Sequence, residues 1–368
     1  MTGKERMNLA MSLKEPDRVP VMCQMSWGHI LLNSGLKPSD FLFNPRYFAE
    51  GFLIMREKYQ FDGILINQYP NLPEEIRSAL RIETTEHGEM CHYPNGDRVF
   101  CPSDDDPREL APKIYPEIGD IEIDKVEIMK EIPDWKVEAH RIVVEKAGRE
   151  YSIHGEVSSP YTKARHLLGI ENALIGLIED PEKMEQLIDK YVTESFAFAK
   201  AQIEAGVDAV KISSAYAGGS FISPAFYQRF VLPYEKKLIR QIKGFKSGIP
   251  VYIHTCGLIG DRLELMAETG IDGIECLDPA PLGNCELGDA KQRIGKTKFI
   301  KGNMDSVNAL LNSTPESIEE YVKKQIRIGA PGGGYILSSA CSVSPYVKPE
   351  IMKMLVPLAE KYGTYPLK

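Results

Sequence analysis

From residue 150 onward, short β-branched runs alternate with stretches in which apolar residues return every three or four positions, the pattern of parallel βα units. YSIHGEV (151–157), AVKISS (209–214), VYIHTC (251–256), GIECLD (273–278), KFIKGN (298–303) and YILSSAC (335–341) read as strands, and VPVMCQ (19–24) and GILIN (63–67) bring the expected number to eight. The helices between them carry their own punctuation. Asp180, Ser223 and Thr314 each precede a proline as N-cap, and Gly206, Gly270 and Gly329 are expected to stop helices.

Eight strands with intervening helices, in 368 residues where about 250 suffice, predict a (β/α)8 TIM barrel, an α/β fold, with insertions. The alternative, an open doubly wound sheet, normally shows a glycine-rich phosphate turn after its first strand, and MSWGH (25–29) is not one. Thr2 and Glu5 form a capping box that starts an amino-terminal helical extension. Residues 1–368 are therefore read as a single barrel domain, with 83–135 an insertion in it. Within the insertion, Asn95-Gly96 signals a two-residue β-hairpin turn. That turn pairs Cys91 with Phe100 and puts Cys101 on the opposite face, against a second metal site there. Asp104, Asp105 and Asp106 read as a solvated loop, and Gly332, Gly333 and Gly334 as a tight turn at the barrel floor.

Charge narrows the function classes. Forty-four Lys and Arg against 52 Asp and Glu give a formal charge of -8, without a basic cluster to follow a phosphate backbone, so nucleic acid is not an expected partner. No apolar run approaches the roughly 18 residues of a membrane helix, and the charged start lacks the apolar core of a signal peptide. A cytoplasmic location is expected, and seven cysteines, an odd number, fit a reducing compartment.

In such a barrel the carboxyl ends of the strands converge on one mouth. His254 and Cys256 end one strand, in a spacing that sends both side chains to the same face, and Cys341 ends the last. Two thiolates and an imidazole suit zinc, and three protein ligands leave a fourth position for chemistry. Glu275, on the next strand, is a candidate to complete the tetrahedron, whereas its neighbour Cys276 points the other way and is assigned to packing. Glu275, Glu156 and Asn303 are the candidate catalytic groups at the strand ends, and Met25, Trp27, Tyr69, Tyr216 and Phe221 the candidate substrate contacts around them.

AGVDAVKISSAYAGGSFISPAFYQRFVLPY (205–234), PVYIHTCG (250–257), GNMDS (302–306) and GAPGGGYILSSAC (329–341) resemble the uroporphyrinogen decarboxylase superfamily. Within it, the His254-x-Cys256 pair with a distant Cys341 is similar to the zinc motif of the corrinoid-dependent methyltransferases. True decarboxylases carry an arginine-bearing segment of the form RQAGR and a His-Gly near the last strand. Here those places read CQMSWGHI and SSACSV, which argues against tetrapyrrole decarboxylation, kept as an alternative, because the bidentate partners of the propionates are missing.

The resemblance implies methyl transfer between a small molecule and the cobalt of a corrinoid (cobalamin). No His has an Asp two residues before it, so the Asp-x-His-x-x-Gly motif of cobalamin modules is absent and the cofactor is expected on a separate corrinoid protein. Two thiolates neutralise Zn2+ and favour a thiol substrate such as coenzyme M. Against this, the strand ends offer no cation for a charged thiol, although Arg165 and Arg229 lie on the following segments, and aromatic and thioether side chains suit a planar apolar substrate. The balance falls narrowly towards demethylation of a methyl ether, an O-demethylase, with thiol methylation as the alternative. A zinc-stabilised barrel without turnover is a third reading.

Overall fold

The computed structural model describes residues 1–67, 70–111 and 113–367. Its strands are β1 (Gly63–Ile66), β2 (Arg81–Thr85), β3 (Gly88–His92), β4 (Arg98–Pro102), β5 (Arg108–Glu109), β6 (Ser152–Ser158), β7 (Ala209–Ser213), β8 (Val251–Thr255), β9 (Gly273–Cys276), β10 (Phe299–Met304) and β11 (Tyr335–Ser339). Seven of them make one curled sheet in the order β1-β6-β7-β8-β9-β10-β11, and every pairing in it is parallel. Each of the predicted runs from 63 onward coincides with one of these strands to within a residue or two at its ends, β6 and β10 running one residue further.

The expected first strand differs. Residues 19–25 make isolated parallel bridges, Val21 to Leu337 and Met25 to Val343, rather than a continuous ladder. The Asp62 amide donates to the Val21 carbonyl at 2.9 Å on the other side, so this segment fills the gap between β11 and β1. Pro20 removes a donor from the run, and the Asp62 carboxylate replaces part of the ladder by accepting from the Val21 amide at 2.8 Å. Arg6 and Arg18 hold that buried carboxylate at 2.6 and 2.8 Å.

Period-two alternation decides what each strand side packs against. Ile153, Val210, Ile212, Ile253, Ile274 and Ile300 face the helices in the main core, whereas Leu65, Ala209, Tyr252, Phe299 and Ile336 face inward. The inward set packs with Met7, Ala10 and Met11 of helix α1 (Gly3–Met11), so the amino-terminal helix plugs the barrel floor. The predicted capping box at Thr2 and Glu5 starts that helix. Asp180, Ser223 and Thr314 cap theirs through side-chain oxygens, each followed by proline. Gly329, expected to stop a helix, is instead its last residue. A Cβ there would sit 2.7 Å from the Tyr335 ring, so close packing accounts for it.

The insertion is more than a hairpin, because β2 to β5 form a four-stranded antiparallel sheet. Its register corrects the expectation for the cysteines. Tyr93 pairs with Asp97 across a three-residue loop in which Gly96 has φ +93°, so Cys91 lies opposite Val99, not Phe100. One extra loop residue brings Cys91 and Cys101 to the same face, with their sulfurs 3.7 Å apart and both buried. In the acidic run, Asp104 accepts from the hydroxyl of the distant Tyr346 and Asp105 pairs with its neighbour Arg108. Gly332, Gly333 and Gly334 all have φ near +70°, as a tight turn before β11 requires. No helix is long and apolar enough to cross a membrane, among the described residues.

Candidate metal and substrate site

Above the apolar floor, the inward positions turn polar and the parallel register brings opposite charges side by side. Glu156 lies beside Lys211, His254 beside Glu275, and Glu275 beside Lys301 on neighbouring strands. Lys211 Nζ is 2.5 Å from Glu156 and 3.5 Å from Glu275, and it donates to Gln24 Oε1 at 2.6 Å. Lys301 Nζ pairs with Glu275 Oε1 and donates to Ser338 Oγ at 3.1 Å. Both lysines are fully buried, and two cations against two carboxylates keep the layer neutral. Neither lysine was singled out from the sequence. The signal was there: AVKIS and FIKGN each place a lysine inside an apolar strand, where only a partnered charge survives.

One level higher, His254 links this network to the sulfurs. Its Nδ1 donates to Glu275 Oε2 at 3.0 Å, which leaves Nε2 facing Cys256 Sγ at 3.1 Å, and Cys341 Sγ lies 3.6 Å from Cys256 Sγ. Sulfurs bound to one tetrahedral zinc at about 2.3 Å stand about 3.8 Å apart, so the spacing fits the ion. A carboxylate on the far ring nitrogen is the usual support of a metal-binding histidine. Burial alone would lower the His254 pKa, yet Cys256 raises it well above the ordinary value. Contacts with Cys256, Cys276 and His254 hold the Cys341 thiol well below the usual range. The pocket thus favours the thiolate at Cys341, the form that binds metal, whereas burial pushes the Cys276 thiol well above the usual range. Both oxygens of Glu275 are engaged, by His254 and Lys211 on one side and Lys301 on the other.

Cys276 requires a correction. Instead of pointing away into the packing, its sulfur lies with the ligand atoms of His254 and Cys256, all within 4.8 Å of one another. Alternation fails here because the chain leaves extended geometry at the end of β9, with φ +85° at Cys276 and +57° at Leu277. Nothing in the residue types at 276–277 announces that turn.

The remaining candidates divide into two places. Met25, Trp27, Gln24, Asn67, Glu156 and Ser342 line a cavity of about 290 Å³, and Ser342 adjoins Cys341 in the chain. Met25 is buried, and Trp27 also packs edge-on against Phe48 at 6.3 Å between ring centroids. Tyr216 and Phe221 stack obliquely, with centroids 5.3 Å apart, and do not line that cavity. Arg165 lays its guanidinium 3.8 Å over the Tyr216 ring. It has no carboxylate partner among the described residues and its buried Nε makes no hydrogen bond. Arg229 is instead engaged by Glu185 at 2.6 Å. Asn303 donates to the Leu277 and Cys285 carbonyls, which makes it a brace for the turn after β9. Tyr69 lies outside the described residues. A larger cavity, about 650 Å³ and lined by Arg6, Arg18, Asp62 and Glu360, opens at the floor, away from the sulfurs.

Comparisons with known proteins agree with this architecture. A methyltransferase from Methanosarcina mazei superposes with a TM-score of 0.74 at 20% identity, covering 98% of this chain and 99% of that one, which shows the shared fold. The methylcobamide:CoM methyltransferase MtbA of Methanosarcina acetivorans is 30% identical over 227 residues, 61% of this chain and 63% of the relative, so the match spans less than two thirds of that protein. The uroporphyrinogen decarboxylase of Pseudomonas entomophila is 26% identical over 356 residues, 92% of this chain and 91% of the relative. The family model described as uroporphyrinogen decarboxylase (URO-D) matches residues 104–362, well over half of the chain. The chain belongs to the uroporphyrinogen decarboxylase family.

Proposed function

We propose that this protein is a zinc-dependent methyltransferase that moves a methyl group between a small molecule and the corrinoid of a separate protein. The observation that carries the reading is the meeting of His254 Nε2, Cys256 Sγ and Cys341 Sγ at the barrel mouth, with Glu275 behind the imidazole. A zinc ion held there by His254, Cys256 and Cys341 would supply Lewis acidity, lowering the pKa of a thiol or polarising an ether oxygen. The protein's own share is orientation: Lys301 and Lys211 fix Glu275, Glu275 fixes the His254 tautomer, and the ring presents Nε2 to the mouth. A methylcobamide:CoM methyltransferase among the relatives supports the corrinoid as the other party.

On direction, Arg165 moves the balance to a thiol. The absence of a cation at the strand ends favours an apolar ether, whereas a guanidinium stacked on Tyr216, with no carboxylate partner among the described residues, is a cation suited to an anionic tail. The second reading, a methyl ether donor, draws on the cavity beside Met25 and Trp27, large enough for a small aromatic ring. Two parallel assays separate them. The zinc-loaded protein is mixed with methylcobalamin and coenzyme M, and with cob(I)alamin and an aryl methyl ether, while the corrinoid spectrum is followed. Loss of methylcobalamin only with the thiol supports the first reading. Reaction only with the ether reverses the direction, and no reaction in either, repeated with corrinoid protein, removes the methyltransferase reading.

A further inference from the structure

We infer that Cys276 is a third thiolate ligand, so that the protein itself supplies four donors, His254, Cys256, Cys276 and Cys341, to the metal. The inference rests on the zinc reading above and extends it to a residue that strand periodicity directs away from the site. Glu275 faces the barrel interior, so an extended chain would carry Cys276 to the outer side. The backbone prevents this by entering the left-handed region at two consecutive non-glycine residues, φ +85° and +57°. Such a conformation is unfavourable for residues that carry a side chain and persists only where its surroundings enforce it.

The surroundings do enforce it. Asn303 Nδ2 donates to the Leu277 carbonyl at 2.9 Å. Gly302 leaves room for the Cys276 carbonyl, since a Cβ there would stand 2.6 Å from that oxygen. Asp278 Oδ2 accepts from the Gly257 amide at 2.7 Å, which ties the turn after β9 to the loop carrying Cys256. The outcome is a sulfur within 4.8 Å of the His254 and Cys256 donors. Cys276 is completely buried, whereas Cys256 and Cys341 are partly open to the mouth. Its thiol donates to Asp278 Oδ2 at 3.2 Å, a contact that keeps the sulfur on the side of the turn facing the loop of Cys256. Three sulfurs and one imidazole form a closed donor set for zinc. A small molecule that binds the zinc would have to displace one of these four donors.

The test counts sulfurs directly. X-ray absorption of the zinc-loaded wild type should show three sulfur neighbours and one nitrogen, and Cys276→Ala should show two. Charge-transfer absorption of the cobalt-substituted protein should fall by about a third in the same variant. Zinc affinity, read by competition with a chromophoric chelator, should fall by more than the roughly 10- to 100-fold typical of a residue that only supports a ligand. Should Cys276→Ala fail to fold, the wild-type sulfur count decides alone. Two sulfurs in the wild type, or equal counts in wild type and Cys276→Ala, overturn the inference. If zinc is then still lost from Cys256→Ala, the underlying zinc reading stands. A wild type that binds no zinc overturns both.

Discussion

Replacing Glu275 by Gln removes one negative charge from a buried layer that is otherwise neutral, and the structure says where the cost falls. Lys211 keeps Glu156 at 2.5 Å and Gln24 at 2.6 Å, but Lys301, fully buried, keeps only the Ser338 hydroxyl at 3.1 Å. Burial would raise the Glu275 carboxyl, yet Lys301 and Lys211, with His254, hold it well below the usual carboxylate range, so the charged form is the one the layer is built around. Removing one partner of a buried ion pair costs about 3 to 5 kcal/mol, a large part of the ~5 to 15 kcal/mol that keeps a domain folded. The loss should appear in urea unfolding of the metal-free protein. Zinc affinity of the loaded protein should fall by about 10- to 100-fold, because His254 loses its charged orienting partner. Adding Lys301→Met removes the stranded cation, so the double variant should be more stable than Glu275→Gln alone. A destabilisation below about 1 kcal/mol, or a double variant no more stable than the single, would refute the claim that these charges depend on each other.

Three further outcomes follow from buried groups elsewhere. Asp62 binds Arg6, Arg18 and the Val21 amide, so Asp62→Asn should cost about 3 to 5 kcal/mol and loosen the closing segment; unchanged hydrogen-exchange protection at Met22 and Leu337 would count against this. His140 is buried with neither ring nitrogen hydrogen-bonded among the described residues, and burial pushes its pKa down to about 3. Its contribution to stability is present above the ordinary histidine value and is lost as pH falls towards 3. His140→Leu should therefore gain on the wild type by about 2 to 3 kcal/mol at pH 4.5, and parallel pH profiles would argue against it. Glu235 accepts from the Tyr227 hydroxyl at 2.8 Å in full burial, which pushes its pKa up to about 7. That stability is present below pH 4.5 and is lost as pH rises through 7. Relative to wild type, Glu235→Gln should gain about 3 kcal/mol between pH 4.5 and 8, and a flat difference in melting curves would contradict the assignment.

Much of this protein is written in local chemistry. The βα alternation, the proline-marked helix starts and the same-face spacing of His254 and Cys256 follow from residue type and period alone, because each depends on neighbours only a few positions away. Tertiary structure decided what depends on partners far along the chain. The closing segment at 19–25 pairs with its neighbours through a few backbone hydrogen bonds in place of a continuous ladder, and the Asp62 carboxylate, itself held by Arg6 and Arg18, supplies part of what is missing. Lys211 and Lys301 could enter the barrel only because strands one register away present Glu156 and Glu275. Cys91 and Cys101 meet because a hairpin loop holds three residues instead of two. Cys276 faces the sulfurs because Asn303 and Gly302, some 26 residues later, hold a left-handed turn that its own sequence does not encode. Period and composition determine which side of an element is apolar, whereas the placing of a single sulfur to within an ångström is settled by hydrogen bonds and close packing that only the assembled fold supplies.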